Sequence, residues 1–565
     1  MKASTITPLK RFISLLKVDK QEITSIYIYA LFSGIVSLTL PLGIQAIINL
    51  ISLGQVSTSW IVLVGLVILG VAFRGFMQIK QLEITENIQQ KIFTRSSFEF
   101  AYRIPRMKLE AVDKIYTPEL VNKFFDTLTV QKGLSKILTD FSTATLQVIF
   151  GLILLSLYHP FFIIFSFILI TIIYLIFRYL VPMGIKTSMN ESKYKYEIAY
   201  WLEELARTMS TFKLASHSRY PMDRTDRLVR MYLASRVAHF KTLRTQYTLL
   251  VIFKIVIAAG LMILGGTLVL QQQMNVGQFV AAEIIIILII ASVEKLIMTM
   301  ETIYDILTAV EKIGSVTDIE LEHIEETRRG KLDKGLSVEM RDFSYTFLGE
   351  NKPVIKDISL KIKSGERLVV CGEFGSGKSI LIQLIAGFYE SYQGSLNYNG
   401  LPLGNWDKED LYVNIGECIS KDQIFNGSVL ENITLGKEGI TLEEVQKMAE
   451  IIGFTDFVCS LPEGYQTKLM SEGKNLPRSA RTKIMIARAL VGNPKLLLLD
   501  DTFNNLIPEN RKNLLEYLLD RAHNWTVVAV SNDADVIASF DRAIVLKNGQ
   551  IISSTSNNNS DAEAK

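Results

Sequence analysis

A chain of 565 residues is too long for one ordinary domain. It is 49% hydrophobic and 21% charged, and nearly all of the apolar excess lies before residue 310, which excludes a wholly soluble protein. A net charge of +3 gives no global basis for nucleic-acid binding, and three cysteines (Cys371, Cys418, Cys459) suggest reduced cytosolic thiols rather than a disulfide framework.

The first 22 residues are basic but have neither a long apolar core nor a cleavage-like site, so no cleaved signal peptide is expected. No charged residue occurs from Ile23 to Phe73, a run of 51. A bilayer-spanning helix needs ~20 residues, so this run holds two, joined by "ISLGQVSTSW". The 37 uncharged residues from Phe141 to Phe177 hold a second pair turning at "LYHP", and a third pair turns at "QQQMNVGQ". This predicts six spans, at about 23–48, 59–79, 138–157, 160–181, 246–271 and 277–299, in an all-α polytopic membrane domain covering 1–315. A soluble helical core rarely lacks charge for so long.

The three predicted outer turns contain no Lys or Arg, whereas residues 74–140 contain 11 and residues 178–244 contain 13. Both long loops and both chain termini are therefore expected on the cytoplasmic side of an inner (plasma) membrane, with lipid around the spans. Segments such as "WLEELARTMSTFKLAS" read as long cytosolic helical extensions. Two patches, near Ala111–Asn122 and Arg207–Ser216, are candidates to dock onto a soluble domain. Within the third pair sit Lys254 and Glu283, candidates for a translocation pathway because charges inside spans face a cavity or a partner. Their depths differ by roughly 12–18 Å at ~1.5 Å per residue, so snorkelling of Lys254 to the inner interface competes with coupling between them.

A charged linker, 316–336, precedes a soluble α/β domain expected over 337–553, followed by a disordered tail, 554–565. Strand-like runs lead into "GEFGSGKS", where Gly372, Glu373, Phe374, Gly375, Ser376, Gly377, Lys378 and Ser379 fit G-x-x-x-x-G-K-[ST] between an apolar strand and an apolar helix. The glycines let backbone N–H groups curl toward phosphate oxygens, and the helix N-terminus adds positive partial charge. Lys378 reaches the terminal phosphates and Ser379 can ligate magnesium. The strand "KLLLLDD" ends on Asp500, the magnesium-side carboxylate. ATP and Mg2+ are the expected cofactors.

The order of parts resembles an ABC exporter half-transporter, closest to the type I secretion and peptide-exporter branch, across nearly the whole chain. The resemblance implies an ABC-type P-loop NTPase domain with Gly372–Ser379 as Walker A, Leu496–Asp500 as Walker B, and Tyr345 of "FSYTF" as the aromatic on which adenine stacks. It also implies a second half-transporter as partner, the same chain or another, with a periplasmic adaptor and outer-membrane channel as further partners and no nucleic acid.

Five positions depart from that pattern. Ser420 stands where a glutamine belongs. The signature L-S-G-G-Q becomes Leu476, Pro477, Arg478, Ser479 and Ala480. Asp501 replaces the glutamate that polarises the attacking water, Asn504–Ile507 replace S-A-L-D, and Asn532 replaces a histidine that contacts the γ-phosphate. Aspartate is one methylene short for placing a water in line, asparagine cannot carry imidazolium charge, and Pro477 has no N–H to offer a phosphate. Proline is tolerated in a first turn, so the helix itself should survive. The expected function is an ATP-binding exporter subunit for a peptide, protein or amphipathic substrate, with hydrolysis weakened. The alternatives are an ATP-gated scaffold, regulator or partner subunit, and a lipid or drug as substrate.

Overall fold

The computed structural model describes residues 7–52, 58–322, 332–419 and 423–556. Two compact units emerge, one of residues 1–105 with 115–319, the other of 106–114 with 320–565. In chain order the helices up to residue 317 are α1 (Pro8–Val18), α2 (Lys20–Ser37), α3 (Thr39–Ser52), α4 (Thr58–Arg103), α5 (Leu109–Val112), α6 (Thr117–Asn122), α7 (Asp126–Lys136), α8 (Ser142–Ser156), α9 (Pro160–Arg207), α10 (Met209–Leu214), α11 (Tyr220–Leu270) and α12 (Val276–Thr317). Among the described residues, six helical segments are long and apolar enough to cross a membrane: Lys20–Ile51, Thr58–Arg106, Thr117–Ser156, Pro160–Arg207, Tyr220–Leu270 and Val276–Thr317.

Local chemistry explains where two of these are interrupted. Pro41 lacks the N–H that would bond the Ser37 carbonyl, and the helix breaks at Leu38 between α2 and α3. Between α7 and α8, a π-helical turn covers Ile137–Phe141. α12 is the central element, packing against α1, α3, α7, α8, α9 and α11. Its Ile285, Ile289, Val293 and Met300 join Leu152, Phe253 and Ile257 in one buried cluster. Gly184 of α9 lets the Tyr304 ring approach: a Cβ there would lie 2.2 Å from the ring carbon Cζ. Large apolar side chains such as Leu69 and Phe167, over 70% exposed, point out of the bundle, as a lipid-facing surface requires.

Lys254 corrects an expectation. Its Nζ lies 2.8 Å from the Glu294 carboxylate of α12, not beside Glu283. Glu283 sits eleven positions earlier on the same helix, about three turns or ~16 Å away. The cation inside the span thus has an acidic partner on α12 other than Glu283.

Among its described residues the second unit contains twelve strands: β1 (Val338–Tyr345), β2 (Ile355–Ile362), β3 (Arg367–Gly372), β4 (Tyr392–Tyr398), β5 (Leu401–Pro402), β6 (Ile415–Cys418), β7 (Gly427–Ser428), β8 (Lys468–Leu469), β9 (Leu496–Asp500), β10 (Thr526–Val530), β11 (Arg542–Lys547) and β12 (Gln550–Ser556). One sheet has the order β2-β1-β4-β5; a larger one runs β12-β11-β3-β10-β9-β6, parallel from β11 to β6. The inner strands are continuously apolar because both faces are covered: Leu368–Val370, Leu496–Leu499 and Val527–Ala529 are all buried.

Residues 106–114, with α5, belong to this unit. Glu110 accepts hydrogen bonds from the backbone N–H groups of Glu390 and Ser391. Arg106 pairs with Glu409 at 2.7 Å, and Lys108 with Glu320 at 2.8 Å and Glu390 at 3.1 Å. Burial works against the Glu390 charge, yet Lys408 and Lys108 together hold its carboxyl below the usual range. The patch expected at Ala111–Asn122 therefore divides, its first residues going with the soluble domain and Ile115 onward with the helical unit; Arg207–Ser216 falls in the helical unit.

A double-mutant cycle separates the two candidate partners of Lys254. Lys254→Met with Glu294→Gln should show a coupling of about 0.5–1 kcal/mol in unfolding from lipid or detergent. Lys254→Met with Glu283→Gln should be additive. Coupling confined to the Glu283 pair would contradict the observed ion pair.

Candidate functional site

The site is assembled at the C-terminal ends of parallel strands, where backbone dipoles and loops converge. β3 runs into the turn Glu373–Gly377, and the helix α13 (Lys378–Ile385) starts directly after it. Gly375 and Gly377 adopt φ of 78° and 102°, open to glycine and strained for other residues. A Cβ on Gly372 would fall 2.2 Å from the Leu546 carbonyl oxygen, so only glycine fits against β11. Lys378 folds back over the loop, its Nζ donating to the Gly372 carbonyl at 2.7 Å and the Glu373 carbonyl at 2.8 Å. β10 aligns Val530 with both Val370 and Asp500, which brings the end of β9 level with the loop.

A cavity of about 510 Å³ results. Phe374, Gly375, Ser376, Gly377, Lys378, Ser379 and Asp500 line it, as do Asp501, Asn532 and Arg478. Its size suits a nucleotide-scale ligand. Ser376 Oγ is buried there without a hydrogen-bond partner, an acceptor and donor that a phosphate oxygen would satisfy. No cluster of three or more His, Cys, Asp or Glu able to hold a metal occurs among the described residues. A magnesium ion would accordingly rest on the Ser379 hydroxyl and the Asp500 carboxylate together with phosphate and water, its usual habit.

Other expected residues lie elsewhere. Tyr345 is 1% exposed, its ring packed 5.3 Å from Phe347 and 5.0 Å from Tyr389 in the core beneath β1. It presents no free face for adenine, because the hydrophobic gain of covering a strand aromatic outweighs leaving it open. Gly372 and Glu373 take part through their carbonyls rather than the cavity wall. Leu476 and Ala480 are buried, while Pro477, Arg478 and Ser479 are exposed. Pro477 sits immediately before the helix Arg478–Leu490 and makes no side-chain cap. Ser420 lies outside the described residues.

Two of the substituted positions have acquired partners. Asp501 occupies a left-handed conformation, φ 51°, and its carboxylate accepts from the Asn504 amide. The Asn532 amide pairs in both directions with the Gly372 peptide: Oδ1 accepts from Gly372 N–H and Nδ2 donates to Gly372 C=O, each at 3.0 Å. Sequence comparison alone presents Asn532 as a lost histidine; in space it clamps the start of the phosphate loop. Of the helix face formed by Arg478, Thr482 and Met485, all lining the cavity, the sequence reading singled out Arg478 and missed the other two. The signal was present in their spacing of four and three residues.

Cys418 also borders the cavity, and burial pushes its thiol up to about 11, with the nearby Thr502 hydroxyl working in the opposite sense. Burial likewise raises Cys371, while Cys459 is exposed. Cys418 therefore stays protonated until pH rises through about 11, and the stability tied to its burial is present below the ordinary thiol range and lost above that point. Near neutral pH, a maleimide should label Cys459 alone in the folded protein and all three cysteines after denaturation. For the clamp, Asn532→Ala should remove two hydrogen bonds worth about 0.5–1.5 kcal/mol each. Faster amide exchange at Gly372, with the rest of β3 unchanged, is the expected readout.

Comparison with known proteins matches two families. Residues 23–293 match the ABC transporter transmembrane region and residues 355–504 match the ABC transporter family. A probable ABC transporter ATP-binding/permease protein of Haemophilus influenzae is 35% identical over 232 residues, 41% of each chain. The alpha-hemolysin translocation ATP-binding protein HlyB of Proteus vulgaris is 30% identical over 292 residues, 51% of this chain and 41% of that one. The cyclolysin secretion/processing ATP-binding protein CyaB of Bordetella pertussis is 27% identical over 326 residues, 58% of this chain and 46% of that one. The chain thus spans less than half the length of the curated relatives it matches. In three dimensions it resembles a bacterial Atm1-family ABC exporter with ATP bound, with a TM-score of 0.83, 18% identity and 95% of each chain covered, which establishes the fold. A polytopic helical domain with six apolar segments, followed by an α/β domain with a phosphate-binding loop, is the half-transporter arrangement, and this chain belongs to the ABC transporter family.

Proposed function

We propose that the chain is the ATP-binding subunit of an ABC-type exporter that carries a peptide, protein or other amphipathic substrate outward across the inner membrane, with hydrolysis much weaker than binding. The observation that carries this reading is the division within one cavity. The groups expected to hold the phosphates and magnesium, namely the Gly375–Ser379 loop with Lys378, and Asp500, line one cavity. The groups at the hydrolytic positions are occupied with each other or with backbone: Asp501 with Asn504, Asn532 with Gly372. A carboxylate held by an amide and one methylene too short is poorly set to orient water for in-line attack.

The bound Mg2+ would neutralise charge on the terminal phosphates. Lys378 would release its loop carbonyls and donate to phosphate instead. Asp500 and Ser379 would fix the metal, and the loop N–H groups would cradle the oxygens. Both termini are assigned to the cytoplasm from the Lys and Arg distribution. The partner in this reading is a second half-transporter, and the names of HlyB and CyaB, which speak of translocation and secretion, support a secreted substrate. The rival reading, an ATP-gated membrane scaffold or partner subunit, is favoured by the same occupied hydrolytic positions and differs in showing no substrate-stimulated phosphate release.

Purified protein in lipid should bind Mg-ATP with a Kd between micromolar and millimolar. Lys378→Ala should weaken binding by the ~1.5–3 kcal/mol of a charge-assisted contact. Asp501→Glu with Asn532→His should raise ATP turnover modestly. Rebuilding residues 476–480 as L-S-G-G-Q should raise it further and more than additively, since these groups act on one transition state. Lys378→Ala in the rebuilt chain should abolish the gain. Turnover of ~1 s⁻¹ or faster by the unmodified protein would overturn the assignment of weakened hydrolysis.

A further inference from the structure

α12 carries two opposite charges side by side, Glu294 and Lys295, and ties each to a different neighbour. Glu294 pairs with Lys254 of α11 at 2.8 Å, whereas Lys295 Nζ lies 3.6 Å from Asp140, in the π-helical turn between α7 and α8. Ser292 adds a hydrogen bond to Gln147 Oε1 of α8 at 3.0 Å. On that side the helices also approach closely, since a Cβ on Gly133 or Gly151 would fall 2.5 Å from Ile306 or 2.9 Å from Ile289 of α12. Toward α11 the buried face is packed through Leu250 and Phe253. The exposed face instead parts into a groove of about 380 Å³, lined by Phe240, Arg244 and Tyr247 of α11 and by Ile297, Met298 and Glu301 of α12. The Lys254–Glu294 pair spans the two helices just beyond this groove, on the side away from the end assigned to the cytoplasm.

Depth makes these charges unusual. Lys254 lies sixteen residues from the Leu270 end of α11 and Glu294 eighteen from the Val276 start of α12, roughly 24 and 27 Å at ~1.5 Å per residue. A hydrocarbon core is ~30 Å thick, so the pair falls just inside its margin. The two side chains are nevertheless 34% and 39% exposed, and those of Lys295 and Asp140 61% and 42%. Hydrocarbon does not accept four charged groups so open, and this face therefore calls for water against it. The exposed stripe of α12 continues from Glu294 through Ala291 to Ile287, at helical spacings of three and four. We propose that this stripe lines an aqueous path and that the Lys254–Glu294 ion pair is the bar across it, closing against a side fixed by Lys295–Asp140 and Ser292–Gln147. The inference rests on the export reading above and gives its path an entrance. An amphipathic substrate in the groove passes by exchange of charge: its carboxylate takes the place of Glu294 on Lys254, or its ammonium that of Lys254 on Glu294.

The test reads water access along α12 in the full-length protein in lipid. The exposed Cys459 is changed to Ser, and one reporter, Ala291→Cys or Ile287→Cys, is added. The probes are membrane-impermeant thiosulfonates, one cationic and one anionic, and a lipid-soluble maleimide. Lys254→Met and Glu294→Gln should each speed labelling by both thiosulfonates about two- to fivefold, the shift that losing a half-exposed ion pair allows. Exchanging the charges, Lys254→Glu with Glu294→Lys, should restore the slow rate. Either single variant decides the matter if the other does not assemble. Reporters that no thiosulfonate reaches in any variant, even where the maleimide does, would show that no water lies against the stripe and overturn the proposal. Single variants that label at the starting rate would overturn it too, as would an exchange variant as fast as they are. If Mg-ATP changes the rate at neither reporter while the single variants still label faster, the ion-pair bar stands and the export reading falls.

Discussion

The peptide of Gly372 is where the soluble domain's strand geometry becomes a binding site. Its carbonyl accepts from Lys378 Nζ and from the Asn532 amide, its N–H donates to Asn532, and its α-carbon is pressed against the Leu546 carbonyl so closely that no side chain fits. Three elements, the β3 end, the β11 backbone and the segment after β10, are thereby fixed to one point. The turn of the loop, the start of α13 and the height of Asp500 follow from that fixation. A loop that presents N–H groups to phosphate must leave them unbonded within itself, which costs order; the bonds made at Gly372 offset that cost just outside the ligand's footprint.

The helical unit obeys a different constraint. Without water to satisfy polar groups, each charge within the apolar segments needs a protein partner, and Lys254 finds one in Glu294 across two helices. The same logic applies to the Tyr304 hydroxyl, which accepts from Gln246 and lies 3.4 Å from the Leu180 carbonyl beside the small Gly184. Close approach at Gly184 and polar pairing at Tyr304 are one device, since the ring can reach its partners only because no side chain stands between α9 and α12.

Features whose cause is local were legible in the sequence. Uncharged runs of bilayer length announce helices whatever they pack against, and G-x-x-x-x-G-K-[ST] after an apolar strand specifies a turn whose geometry the glycines dictate. What was not legible depends on contacts between distant positions. Asn532 and Gly372 are 160 residues apart, and motif comparison registers only what Asn532 lacks. The pairing of Lys254 depended on Glu294, a second acid in the same span whose side chain points toward α11. Tyr345 matched a pattern of sequence and is buried by a pattern of packing, against Tyr389 and Phe347.

The substitutions around the cavity acquire a common sense when read as contacts rather than losses. Asn532 exchanges a group that can touch phosphate for one that braces the loop holding phosphate. The Asp501 carboxylate is taken up by the Asn504 amide. Arg478 lines the same cavity as Lys378 and Ser379. On the proposed reading, these changes move interaction energy from the transition state toward the bound ground state. Binding that is equally strong in both states lowers the concentration of ATP needed without speeding its cleavage. On the proposed reading, a site built this way favours remaining occupied, and the nucleotide serves the domain as a structural component more than as a fuel.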